Sequence, residues 1–151
     1  MTDSAPVLRT AFRYFQPITT RWMDNDVYGH VNNVVYYAYF DTVINRYLIA
    51  EGGLDIHATA KAEEGARIGL CVESHCRYTK PVAFPDDVEA GMSVAHLGRS
   101  SVRYEIGIFA RGDEEAAASG WFVHVFVDAK TRKSAPIPDG IRAALQKLVT
   151  A

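Results

Sequence analysis

The chain reads as an α+β domain with an antiparallel sheet. Three observations predict this: a wide apolar stripe at helical spacing early in the chain, four strand-like runs in series after it, and short turns between those runs. Consecutive strands joined by short turns form antiparallel sheets. One long helix ahead of four strands argues against an alternating, doubly wound α/β arrangement. The 151 residues suit a single domain spanning 1–151. Such a length can bury roughly 70% of the unfolded surface, so the fold needs no covalent staples.

Residues 1–11 (MTDSAPVLRTA) read as a loose lead-in. Phe12 to Arg21 reads as a strand that Pro17 interrupts, which assigns it to an edge. Met23 to Val31 is a loop rich in turn formers: Asp24, Asn25, Asp26, Gly29 and His30. A helix follows, with Asn32 or Asn33 suited to cap it. Tyr36, Phe40, Val43 and Tyr47 recur at helical spacing, and Tyr39, Ile44 and Leu48 widen the apolar face. A stripe this wide predicts a helix packed heavily on a sheet. Glu51-Gly52-Gly53 ends it.

Residues 58–66 read equally as a short helix or a loop. The four later strands are Ile68–Thr79, Asp87–Leu97, Ser101–Ala110 and Ala116–Asp128. The last is apolar on both faces, which predicts a central strand or an interface. Asp139–Val149 is a terminal helix with Ile141, Leu145 and Leu148 on one side.

Composition excludes several classes. Hydrophobic residues make up 48% and charged residues 23%, and the net charge is −2. Nothing there draws the chain to nucleic acid or an anionic membrane. No run approaches the ~18 apolar residues of a membrane span. Met1 to Arg9 lacks the apolar segment of a signal peptide, so the expected location is cytoplasmic. The two cysteines, Cys71 and Cys76, lie an odd number of residues apart and should face opposite sides of a regular strand, unpaired. No G-x-x-x-x-G-K-[ST] and no G-x-S-x-G occurs, which argues against a phosphate-cradling loop and a serine hydrolase.

The stretch RWMDNDVYGHVNNVVYYAYFD, Arg21 to Asp41, holds the chemistry. A helix N-terminus presents unpaired N–H groups and the positive end of a dipole, which can polarise a carbonyl and stabilise an oxyanion. The N–H groups of Val31 to Asn33 are the expected donors. A carboxylate just upstream can act as base or nucleophile beside them. Of the two aspartates, Asp24 reads as structural. His30 invites a metal reading, but no cluster with ligand spacing accompanies it, so neither metal nor cofactor is expected.

The segment resembles the 4-hydroxybenzoyl-CoA thioesterase family. The likeness rests on the pattern D-x-D-x-x-G-H-V-N-N-x-x-Y-x-x-Y-F-[DE] from Asp24 to Asp41, backed by Tyr78-x-x-Pro81 and by the element order over residues 12–130. It implies a hot-dog fold: a curled antiparallel sheet of about five strands wrapped around one long central helix, here with a short C-terminal helix. It further implies hydrolysis of an acyl-CoA, with coenzyme A as part of the substrate, and a homodimer or homotetramer with active sites at the dimer interface. Carried over residue by residue, the catalytic carboxylate matches Asp26 and the carbonyl-polarising backbone N–H matches Asn33, with His30 a secondary candidate. Arg99 and Ser100 match the turn that contacts coenzyme A phosphates, and Tyr36 is a substrate contact. Two alternatives stay open: the same chemistry on an acyl carrier protein, and a non-catalytic module that binds acyl-CoA.

Overall fold

The computed structural model describes residues 5–150. Its elements are β1 (Tyr14–Thr19), α1 (Val35–Ala50), α2 (Ile56–Ala60), β2 (Arg67–Tyr78), β3 (Asp87–Leu97), β4 (Ser101–Ala110), β5 (Ala118–Asp128) and α3 (Asp139–Gln146). Short 3₁₀ turns occupy Arg9–Ala11 and Trp22–Asp24. All five strands join one antiparallel sheet in the order β1-β3-β4-β5-β2. The sheet curls around α1, so the α+β expectation stands.

Helix α1 buries Tyr36, Tyr39, Phe40, Val43, Ile44, Tyr47 and Leu48, the three- and four-residue spacing of a single face. That face meets the inward residues of the strands, Met92, Val94, Tyr104, Ile106, Ile108, Phe122 and Phe126 among them, in one core. Helix α3 closes the far end, where the Tyr47 hydroxyl donates to the Ala144 carbonyl at 2.6 Å. Residues 58–66 divide: Asp55 accepts from the His57 and Ala58 amides and starts α2, and turns follow Ala60.

Strand β1 is shorter than the expected Phe12–Arg21. It lies at the sheet edge, where Pro17 costs no ladder bond. Phe12 leaves the strand to cover the outer face instead. The paired glycines Gly91 and Gly107 make room for its ring; a Cβ at either would lie 2.9 or 2.7 Å from it. Phe109 and Ala116 complete this smaller cluster. The lead-in is therefore not loose from Val7 onward. Leu8 bridges to Glu115, the Ala116 amide donates to the Val7 carbonyl at 2.8 Å, and the Arg9 amide donates to Glu114. Residues 1–4 lie outside the described part.

The expectation that the cysteines face opposite sides fails for a physical reason. A bulge in β2 between Cys71 and Glu73 inserts Val72 and resets the alternation. Cys71 and Cys76 consequently pair with His124 and Gly120, two residues on one face of β5. Both thiols are free. Strand β5 is paired on both edges, as its two apolar faces predict.

His124 is buried among Phe122, Phe126 and Tyr104, with Nδ1 3.2 Å from the Tyr104 hydroxyl. Burial penalises its cation and pushes its pKa from 6.5 down to about 4. The unfolded chain therefore binds a proton more readily than the folded one between those values. Stability present above pH 6.5 should fall as pH drops toward 4, by on the order of 3 kcal/mol from this residue. Urea unfolding at a series of pH values checks this, and His124→Gln should flatten the dependence between pH 6.5 and 5.

Candidate functional site

The loop from Arg21 to Asn33 is built around Asp24, which is fully buried. Its Oδ2 accepts from the Arg21 amide at 2.9 Å and from the Tyr39 hydroxyl at 2.7 Å. Its Oδ1 accepts from the Arg21 guanidinium at 3.0 Å, and its carbonyl accepts from the Asn32 amide at 2.8 Å. Burial alone would raise this carboxyl's pKa. The hydrogen bonds from Tyr39 and Arg21, with the guanidinium charge, outweigh it and hold the group below the usual range. Asp24 is structural, as expected. Asn25 ties the loop to a second segment: its Oδ1 accepts from the Phe84 amide at 2.9 Å.

Asp26 follows in a tight turn. Its amide donates to the His30 carbonyl at 2.9 Å, its carbonyl accepts from Gly29, and its Oδ1 accepts from the Tyr28 amide at 2.8 Å. Gly29 takes φ +85°, which favours glycine. Asp26 is half-buried, and among the described residues only Oδ1 has a protein donor.

The helix starts later than its asparagines suggested. Asn32 bonds ahead of it, with Oδ1 accepting from the Val34 amide at 3.1 Å, and α1 begins at Val35. Of the three N–H groups expected as donors, Val31's goes to the Val82 carbonyl at 2.8 Å and Asn32's to Asp24. Among the described residues, the Asn33 N–H finds no protein acceptor. The Asn33 carbonyl accepts from the Tyr78 hydroxyl at 2.9 Å.

These groups converge. One cavity of about 360 Å³ is lined by Asp26, His30, Val31, Asn33, Tyr36, Tyr78, Thr79, Lys80 and Pro81. It unites four sequence-selected residues: the carboxylate, the helix-end amide, the exposed His30 and the buried Tyr36, whose ring meets Tyr78 edge-on at 5.0 Å. Tyr78 and Lys80 were missed as site residues. The signal for Tyr78 was in the Tyr78-x-x-Pro81 pattern, but its role depends on a contact 45 residues away in sequence. Among the described residues, no group of three or more His, Cys, Asp or Glu side chains gathers as a metal site.

Arg99 and Ser100 are not part of this cavity. Tyr78 pairs with Ala118, which pairs with Ile108. Ser101 starts β4 seven residues further back, about 23 Å at roughly 3.3 Å per residue. The turn instead anchors the C-terminal segment. The Arg99 carbonyl accepts from the Ile137 amide and the Arg142 guanidinium, and the Ser100 hydroxyl accepts from Ser134.

The Tyr39–Asp24 bond predicts a measurable coupling. Tyr39→Phe leaves a buried carboxylate short of one donor and should destabilise the fold by about 1–3 kcal/mol. Because the Asp24 carboxyl is held low, its contribution is present above the unfolded carboxylate range and is lost as pH falls through the folded value. Acid unfolding of the variant, followed by circular dichroism, should therefore begin at higher pH than in the wild type.

Comparison with known proteins agrees with the fold. The PA5185 protein from Pseudomonas aeruginosa strain PAO1 is 52% identical, with a TM-score of 0.91 over 97% of this chain and 99% of that one. A thioesterase from Thermus thermophilus, complexed with coenzyme A and Zn, is 29% identical, with a TM-score of 0.73 over 91% and 95%. A 1,4-dihydroxy-2-naphthoyl-CoA thioesterase from Synechocystis shares the fold at 15% identity, with a TM-score of 0.78 over 89% and 96%. No curated protein matches. The thioesterase-like superfamily matches residues 20–145, and the chain belongs to that superfamily.

Proposed function

We propose that the chain hydrolyses a small or medium acyl-CoA, as a member of the 4-hydroxybenzoyl-CoA thioesterase group within its superfamily. The observation that carries this reading is the shared cavity of Asp26 and Asn33. The thioester carbonyl oxygen accepts from the Asn33 N–H, whose neighbours' N–H groups are already occupied. The amide stabilises the negative charge that develops as the carbonyl carbon becomes tetrahedral. Asp26 takes a proton from water as the hydroxyl adds, or adds directly to give an anhydride that water then opens. In either route the C–S bond breaks and the thiolate leaves, to be protonated as free thiol. Tyr36 borders the acyl group, and His30 at the mouth is a secondary candidate.

We propose further that a second copy completes the site. Strand β2 is an unpaired edge, whereas the opposite edge carries Pro17. Leu70, Val72 and Tyr78 on β2, and Trp22, Met23, Val27, Tyr28 and Val34 between β1 and α1, are all exposed. So much exposed apolar surface around one edge suits an interface. Antiparallel pairing of two β2 strands reverses their ends, which would bring the Arg99–Ser100 turn of a partner toward the cavity of the first chain. In this reading that turn serves the nucleotide end of coenzyme A from across the interface, in a dimer or a dimer of dimers. Among the described residues, no helix is long and apolar enough to cross a membrane. The free thiols suit a reducing, cytoplasmic setting.

Two experiments test the proposal. Asp26→Asn should fold normally and lose on the order of 10² or more in kcat for thiol release across a panel of acyl-CoAs. Unchanged turnover refutes the role of Asp26. A wild type that acyl-CoA stabilises without thiol release is a binding module instead, and equal rates on acyl-CoA and acyl-pantetheine point to a carrier-protein substrate. Single turnover in oxygen-18 water separates the two routes by label in the Asp26 carboxyl. Separately, Val72→Lys at the β2 edge should shift sedimentation from dimer toward monomer and reduce activity with it.

A further inference from the structure

The cavity holding Asp26 does not end at Pro81. Thr79 and Lys80, which line it, also line a second cavity of about 310 Å³ with Pro6, Val7, Arg77 and Glu115. Val7, Arg77 and Ser119 in turn line a third, of about 520 Å³, on the outer face of the sheet beside His75 and Trp121. The three adjoin end to end around the C-terminal end of β2. Through these shared residues the three cavities make a row, a segmented groove, from the helix end to the outer face of the sheet.

Its outer wall is built. The segment Val7–Arg9 is fastened to 113–116 by backbone bonds at 2.8 and 3.1 Å and by the Arg9 guanidinium on the Asp113 carbonyl at 2.6 Å. Two cations face the bend. Arg77 has no ion-pair partner among the described residues. Lys80 meets only Asp113, at 3.4 Å and with both side chains exposed, a pair that contributes little. Glu115 is the one carboxylate lining the bend itself. Beyond it the floor is flat and aromatic. Trp121 is held by a parallel His75 ring at 4.1 Å, by the Arg103 guanidinium at 4.4 Å, and by its own Nε1–H on Glu73 at 2.9 Å.

We propose that this groove carries the pantetheine arm of the substrate out of the active site, and that Arg77 and Lys80 bind the pyrophosphate of coenzyme A. The inference rests on the thioesterase reading for its ligand. It assigns the pyrophosphate to this chain's own bend, distinct from the nucleotide end given above to a partner's Arg99–Ser100 turn. A guanidinium and an ammonium flanking a bend suit a diphosphate, which offers charge-assisted acceptors in two directions.

Calorimetric titration of the full chain with coenzyme A, dephospho-coenzyme A and pantetheine tests this without requiring catalysis. Arg77→Ala should weaken coenzyme A and dephospho-coenzyme A alike, by about tenfold or more, and leave pantetheine unchanged. Arg77→Lys should recover part of the loss, which a merely misfolded variant would not allow. Equal affinity of wild type and Arg77→Ala for dephospho-coenzyme A overturns the assignment, as does a loss that requires the 3′-phosphate. Thiol release by the wild type is scored separately. Its absence refutes the thioesterase reading, whereas unchanged binding in Arg77→Ala refutes only the groove.

Discussion

The site depends on one buried charge. Asp24 sits at zero exposure, and its carboxylate accepts from the Arg21 amide, the Arg21 guanidinium and the Tyr39 hydroxyl. A buried carboxylate is tolerable only when its hydrogen bonds are made. That requirement fixes the loop to the first turns of α1 through Tyr39, and the Asp24 main-chain carbonyl separately accepts from the Asn32 amide, three residues ahead of the helix. Asp26 and Asn33, the two groups proposed for chemistry, are held on either side of this clamp. Neither has to be rigid in its own right. The first aspartate of the motif thus supplies the placement that the second one uses.

The sheet contributes in a different way. The inner face is occupied by α1, and the cavity of Asp26 and Asn33 lies where the helix begins, next to the end of β2. Tyr78 lies at that point, and its hydroxyl holds the carbonyl of the residue whose amide is the proposed donor. A carbonyl held by a hydroxyl and an N–H left open on the same residue is an arrangement of backbone, secured from β2 and from the loop together.

Much of this was legible in the sequence. Periodicity located α1, β3 and β4 closely because each has a regular apolar face. The D-x-D and the paired asparagines marked the loop because turn and cap chemistry is local. What escaped was non-local. Nothing in residues 7–12 announces that Phe12 fits over Gly91 and Gly107, some eighty and more residues away. The bulge at Val72 is set by pairing with β5, and a regular alternation therefore misassigned the face of one cysteine. Arg99 and Ser100 show the same limit. A turn can be recognised from its residues, but its distance from the cavity follows from strand length and register.

The unoccupied amide at Asn33 has a further implication. An electrophilic contact provided by the main chain is the same whichever side chain the residue carries. The asparagine is thus open to replacement as far as the reaction is concerned, and only proline, which lacks the hydrogen, removes the contact outright. In the proposed reaction the contribution of this position is a property of conformation. Conventional replacement of side chains by alanine would pass over it unseen.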